Sequence, residues 1–351
     1  MSEKINITTA TSALPAKLLQ SVAHQRHIKA LERELALVEA GLLSQIRFAS
    51  PIADAAAKYL AAAGGKRIRP LLLLLVSELG SGPTEQVRRV AQVIEITHLA
   101  SLYHDDVMDE AVTRRGVQTA HLAWSNSVAI LAGDLLFARA SRLVADMSAE
   151  AILLQSETFE RLCLGQLHET VGPGTEDDEL SFYLQVLADK TGSLISCAAR
   201  MGALVSGAPR EFLDPLTAYG EGIGVAFQLV DDVIDLSPAA ADTGKRAGTD
   251  LRAGVTTLPL LLLRKSAATN AADADLLRRI ETGVAAVAAG ADPSVMDKEV
   301  TELYRHEVTA QTAMRAHKVA GDAVQALASL PAGRVKTALE KLAKTIVERV
   351  G

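Results

Sequence analysis

The sequence predicts an all-α protein, and three features carry that reading. Hydrophobic residues make up 49% of the 351 positions but aromatic residues only 3%, so the core is built from Ala, Leu, Val and Ile. That composition favours close-packed helices over sheets, which draw on aromatic and β-branched residues. Apolar residues recur at three- and four-residue spacing, and no segment alternates convincingly over strand length. The breaks are short and rich in Gly and Pro: Gly64-Gly65, Gly80 to Pro83, Gly172 to Gly174, Gly207 to Pro209, Gly290 to Pro293 and Leu330 to Gly333.

Along the chain, residues 1–13 are polar and expected to be disordered. Residues 14–351 read as a single helical domain, with no repeat and no linker that would divide it. The net charge of −6 and pI near 5.8 argue against a nucleic-acid binder. Cys163 and Cys197 lack metal-ligand spacing and are expected to be buried free thiols. The N-terminus lacks the pattern of a signal peptide. The apolar run Leu71 to Val76 is too short to span a bilayer. A soluble, cytoplasmic protein is the expectation.

Thr84 is placed to cap a helix whose first turn contains Glu85 and which runs into Tyr103-His-Asp-Asp-Val-Met-Asp109. At 3.6 residues per turn, Asp105 and Asp109 share a face, Asp106 stands beside them, and His98 lies on the same stripe two turns lower. Phe227-Gln-Leu-Val-Asp-Asp-Val-Ile-Asp235 repeats the Asp-Asp-x-x-Asp spacing. Like charges four apart weaken a helix by roughly 0.2–0.5 kcal/mol per pair. Their apolar neighbours Leu99, Leu102, Leu229 and Val230 make unpaired carboxylates costlier still. One such cluster is as well explained by a solvated acidic face; two call for a cation. Magnesium fits, because it takes oxygen ligands and bridges one or two carboxylates to phosphate oxygens.

The matching positive charge lies in Gly64-Gly-Lys-Arg-Ile-Arg-Pro70, with Pro70 expected as the first residue of a helix from Leu71 to Leu79. Lys66, Arg67 and Arg69 crowd a helix N-terminus, where the dipole disfavours cations unless an anion sits between. A solvated basic turn is the plainer alternative. Thr113-Arg-Arg-Gly116 adds Arg114 and Arg115, suited to bidentate phosphate contacts, although alone the pair reads as surface. Lys190-Thr-Gly192 interrupts a helix from about Glu179 to Val205, and its Gly marks a bend or a close approach. The irregular stretch Leu236 to Asp250 supplies Lys245.

Taken together from about Gly64 to Pro259, these motifs resemble the trans-isoprenyl diphosphate synthase (polyprenyl synthetase) family. The resemblance implies an antiparallel helical bundle around a deep central cavity, usually as a homodimer, with the two clusters facing each other across the cavity mouth. It implies metal ligation by Asp105, Asp106, Asp109, Asp231, Asp232 and Asp235, with about three Mg2+ per site when substrate is bound. Arg114, Lys190, Thr191, Gln228 and Lys245 would contact an allylic diphosphate. Lys66, Arg69, His98 and Arg115 would hold isopentenyl diphosphate, and Phe227 would lie near the reacting double bond. Without the family, core roles would suit His98 and Phe227 better.

The implied chemistry is electrophilic alkylation, in which Asp105, Asp106, Asp109, Asp231, Asp232 and Lys190 are the catalytic set. One departure stands out: Gly254-Val-Thr-Thr-Leu-Pro259 has Val255 where the family often has Lys, which implies weaker allylic binding. Ala100 and Ser101, the fifth and fourth positions before Asp105, are small, so an open tunnel and a medium- or long-chain product for quinone side chains are expected. The alternatives are a geranylgeranyl or farnesyl diphosphate synthase and a non-catalytic regulatory subunit. A terpene cyclase fits less well, because its second metal site usually mixes Asn, Ser and Glu.

Overall fold

The computed structural model describes residues 25–238 and 246–350. Residues 1–13, expected to be disordered, and Lys245 lie outside the described residues. Among the described residues the regular structure is helical apart from one two-stranded hairpin. It divides into two compact units: residues 1–162, 194–217 and 329–342 in the first, and 163–193, 218–328 and 343–351 in the second.

In the first unit, α1 (Gln25–Gln45), α2 (Pro51–Ala62), α3 (Ile68–Ser77) and α4 (Glu85–Met108) lead to the hairpin β1 (Thr113–Arg114) and β2 (Val117–Gln118). The single turn α5 (Ala120–Ala123) and then α6 (Asn126–Val144) follow, and α7 (Ala149–Val171) begins here. The central element is α4, packed on by α1, α3 and α6. As expected, Thr84 caps it, its side chain accepting from the Val87 N–H at 3.2 Å. Val87, Val90, Val93, Ile94, Ile96 and Leu99 are sealed from solvent, each contributing roughly 1.5–3 kcal/mol of apolar burial.

Two expectations need correction here. The helix after the Gly-Gly turn begins at Ile68, so Pro70 is its third residue. Proline is tolerated there because first-turn N–H groups have no intrahelical acceptor. The hairpin was not anticipated, since two-residue strands are too short to show alternation. Its register pairs Thr113 with Gln118 and Arg114 with Val117. Arg115 (φ 54°) and Gly116 (φ 78°) form the two-residue loop, as a mirror-type turn requires.

In the second unit, α8 (Glu179–Leu187) passes into a π-turn, Ala188–Gly192, ahead of α9 (Ser193–Ser206). The Lys190-Thr-Gly break is therefore a π-helical turn within a continuing helix, and also a close approach. A Cβ on Gly224, in α10 (Leu213–Leu236), would stand 2.5 Å from the Gly192 Cα. After α10 come the single turn α11 (Thr249–Arg252), α12 (Leu258–Ala267), α13 (Ala271–Ala288), α14 (Asp297–Arg305) and α15 (Glu307–Ala326). Here α12 is central, packing on α8, α13 and α15. Leu236, Leu251, Leu260, Leu263, Leu276, Ile280 and Leu303 form one apolar cluster. α16 (Arg334–Val347) completes the described helices.

Cys197 is buried but Cys163 is exposed, contrary to expectation. Cys163 lies four residues from Phe159 and from Leu167 on α7, and all three share an outward stripe.

Candidate active site

The first unit gathers the basic residues around one buried acid. Arg67 caps α3 in the left-handed region (φ 47°), which turns its side chain inward. It donates to Glu39 of α1 through Nε at 2.6 Å and Nη2 at 2.7 Å, and to Glu95 of α4 through Nη1 at 2.5 Å. Burial opposes the charge on Arg67, but the hydrogen bonds to Glu39 and the charge of Glu95 outweigh it and hold its pKa above the usual range.

The turn residue Arg115 donates to the carbonyls of Leu60, at 3.0 Å, and Gly64, with Nη2 3.8 Å from Glu95. Burial pushes the pKa of Arg115 and Arg69 down, against the field of Glu95. The Nε of Arg69 is buried with no hydrogen-bond partner. His98 shares this environment; burial, then the charges of Arg69 and Arg115, hold it well below the usual imidazole range, so it is neutral at pH 7. Lys66 is exposed at the edge of the group.

Beyond this basic group, α4 ends in the first aspartate cluster. Asp109 is exposed, Asp105 half-buried and Asp106 fully buried. Asp106 accepts from Arg114 Nε at 2.7 Å, while its Oδ2 is buried without a hydrogen-bond partner. Burial raises its pKa, partly offset by Arg114. One turn lower, Ala100 is fully buried and Ser101 half-buried, its hydroxyl donating to the His98 carbonyl at 3.0 Å. Gly133 of α6 comes close here, where a Cβ would stand 3.2 Å from the Ala100 carbonyl and overlap the His104 ring.

The second unit repeats the pattern at the end of α10. Asp231 and Asp235 are half-buried and Asp232 is buried. Asp232 accepts from the Tyr183 hydroxyl of α8 and from the Leu258 N–H at the start of α12, 3.2 Å away. Burial, countered in part by those two donors, pushes its pKa up to about 7. Asp231 pairs with Arg349 at 3.0 Å, and that guanidinium lies 5.3 Å over the Phe227 ring. Asp235 accepts from the Asp250 N–H at 3.2 Å. Lys190 on the π-turn bonds Glu169 of α7. Thr191 is buried; Phe227 and Gln228 are half-buried. Val255 is exposed just ahead of α12.

Within each unit, therefore, the aspartate cluster is split. Its middle aspartate serves the protein, and its outer pair remains nearer the surface. Among the described residues, no three carboxylate, imidazole or thiol groups converge into a metal-holding set. Pairs of hard oxygen donors still suit magnesium, which completes its shell with water and substrate phosphate oxygens.

The sequence reading missed Glu39, Glu95, Glu169, Tyr183 and Arg349. Only Glu95 carried a legible signal, an acid inside the apolar run Val90 to Ile96, which requires a buried cation.

A family model described as Polyprenyl synthetase matches residues 50–291. The chain is 46% identical to nonaprenyl diphosphate synthase of Mycobacterium tuberculosis over 239 residues, covering 68% of this chain and 71% of that protein. Its fold matches a decaprenyl diphosphate synthase from Rhodobacter capsulatus at TM-score 0.82 and 30% identity, over 94% of this chain and 100% of the other. It also matches geranylgeranyl pyrophosphate synthase from Corynebacterium glutamicum, solved with calcium and isoprenyl diphosphate, at TM-score 0.80 and 35% identity, over 94% and 99%. A match over most of the chain, together with this identity and fold, makes the protein a member of the polyprenyl synthetase family and thus a prenyltransferase.

Proposed function

We propose that residues 14–351 function as one catalytic domain, a trans-polyprenyl diphosphate synthase joining isopentenyl diphosphate head-to-tail to an allylic diphosphate. The observation that carries the reading is that, within each unit by itself, an aspartate cluster ends a helix with its outer pair nearer the surface, the first unit adding a basic group built around Glu95. Asp105, Asp109, Asp231 and Asp235 would hold Mg2+ with the allylic diphosphate. The metal supplies neutralisation of the leaving diphosphate.

Arg114, held by Asp106, and Lys190, held by Glu169, would contact the allylic diphosphate, with Thr191, Gln228 and Lys245 as further contacts. Lys66, Arg69, His98 and Arg115 orient isopentenyl diphosphate. The allylic C–O bond breaks, with its electron pair leaving on diphosphate. The isopentenyl double bond then forms the new C–C bond, and a proton passes to the departed diphosphate. Exclusion of water protects the cation from quenching.

Small Ala100 and Ser101 favour a product longer than geranylgeranyl diphosphate, of the kind used in quinone side chains. Ser101→Phe, with Ala100→Phe beside it, is expected to shorten that product; an unchanged length in folded variants would displace the pocket floor from this turn. A homodimer is supported by exposed Ile130 and Leu131 on α6 and Ile152, Leu153 and Phe159 on α7. No described helix is long and apolar enough to cross a membrane.

The deciding experiment incubates purified protein with labelled isopentenyl diphosphate, Mg2+ and each allylic primer separately, then sizes the dephosphorylated products. A ladder past geranylgeraniol is the expected result. A stop at geranylgeraniol or earlier would favour a short-chain synthase, and no elongation would favour a non-catalytic partner subunit.

A further inference from the structure

We propose that Glu39, Arg67 and Glu95 are positioning residues for isopentenyl diphosphate, an internal strut fixing the cations that receive it. The proposal rests on the functional reading above and adds to it residues that touch no substrate. Every nitrogen of Arg67 is engaged by the protein: Nε and Nη2 by Glu39, Nη1 by Glu95, and Nη2 also by the Ala61 carbonyl at 3.3 Å. Its side chain is only 6% exposed. A non-glycine residue at φ 47° is strained, and the inward salt bridges hold that conformation in place.

Gly65 lies flat against the assembly: a Cβ would stand 2.9 Å from Arg67 Nη1 and 3.0 Å from Arg115 Cζ. Glu95, at 2% exposure, is shared between Arg67 and Arg115 and lends its field to Arg69. Arg67 is thus balanced by two carboxylates and its charge is spent internally, while Arg115 is held near one of them. Arg69 is different, because its buried Nε has no protein acceptor. Arg69 is the cation this leaves for an anion, and the strut sets where it and its neighbours stand before the anion arrives, which lowers the ordering cost of binding.

The test is steady-state kinetics on the full chain with Mg2+, varying each substrate in turn, with thermal melting on the same samples. Glu95→Gln keeps shape and hydrogen-bonding capacity but removes charge. It should raise KM for isopentenyl diphosphate roughly tenfold, leave KM for the allylic primer within about twofold, and largely spare kcat. Arg67→Lys keeps charge but loses the fork and should shift the same constant in the same direction. Glu39→Gln, at the exposed rim, tests the strut without threatening the fold and should raise that KM about threefold.

Equal rises in both KM values with a lower Tm would reduce the strut to a fold-stabilising element and overturn the proposal. An unchanged or lower KM for isopentenyl diphosphate would overturn it too, the latter showing that Glu95 only screens the cations. Wild-type protein that fails to elongate would instead sink the functional reading on which the proposal stands.

Discussion

The two Asp-Asp-x-x-Asp motifs match in spacing but are wired differently. At the end of α4, the middle residue Asp106 is held by a guanidinium, Arg114, within a region dense in arginines. At the end of α10, Asp232 is held by neutral donors, a tyrosine hydroxyl and a backbone N–H. Both middle aspartates are buried, but the neutral setting leaves more of the desolvation cost uncompensated, and Asp232 titrates near 7. A shared spacing therefore fixes only which residues can reach an incoming cation. The surroundings decide what the third carboxylate does.

The largest test is catalytic and should treat the two regions alike. Asp105→Ala and Asp231→Ala are each expected to lower the elongation rate at least about 10²-fold, or roughly 2.7 kcal/mol of transition-state stabilisation. Loss at one motif only would mean that the other cluster is not a catalytic metal site.

A second test should separate them. Asp106→Asn removes the charge facing Arg114 and should cost about 1–2 kcal/mol, read as a lower urea midpoint. Asp232→Asn retains an acceptor for Tyr183 and Leu258, so its midpoint should move by less than about 1 kcal/mol. Equal losses would mean that the neutral donors depend on the full carboxylate charge.

The smallest effect concerns acid. Burial holds the folded His98 well below the ordinary imidazole pKa of 6.5, so the unfolded chain takes up that proton first as pH falls. The native state gains relative stability above 6.5 and loses it on acidification below that value. His98→Gln should flatten this part of a Tm–pH profile between pH 7 and 5; an unchanged slope would place the acid sensitivity elsewhere.

Much of this was legible because helix periodicity and capping are local. The Thr84 cap, the apolar body of α4, the shared face of Asp105 and Asp109 and the break at Gly192 follow from neighbours within a few residues. The direction each aspartate turns does not, since it depends on partners that spacing cannot bring near. Arg114 and Arg115 are adjacent and chemically alike in the sequence. A positive φ at the hairpin turn separates them, sending one to Asp106 and the other to the Gly64 carbonyl. The hairpin itself was illegible because two-residue strands carry no periodicity. Arg349 was illegible because nothing in its neighbours marks it as the partner of a motif 118 residues away.

That span has a consequence for synthesis. Arg114 meets Asp106 across 8 residues, a small loop whose closure costs little entropy and can happen early as the chain emerges. The Arg349–Asp231 pairing spans 118 residues and must wait until residue 349 has been made. A stop codon placed just before residue 349 would leave both aspartate motifs, their helices and all of the cations around Glu95 encoded. Such a product would still present the family's motifs, yet Asp231 of the second motif would lack the guanidinium that pairs with it.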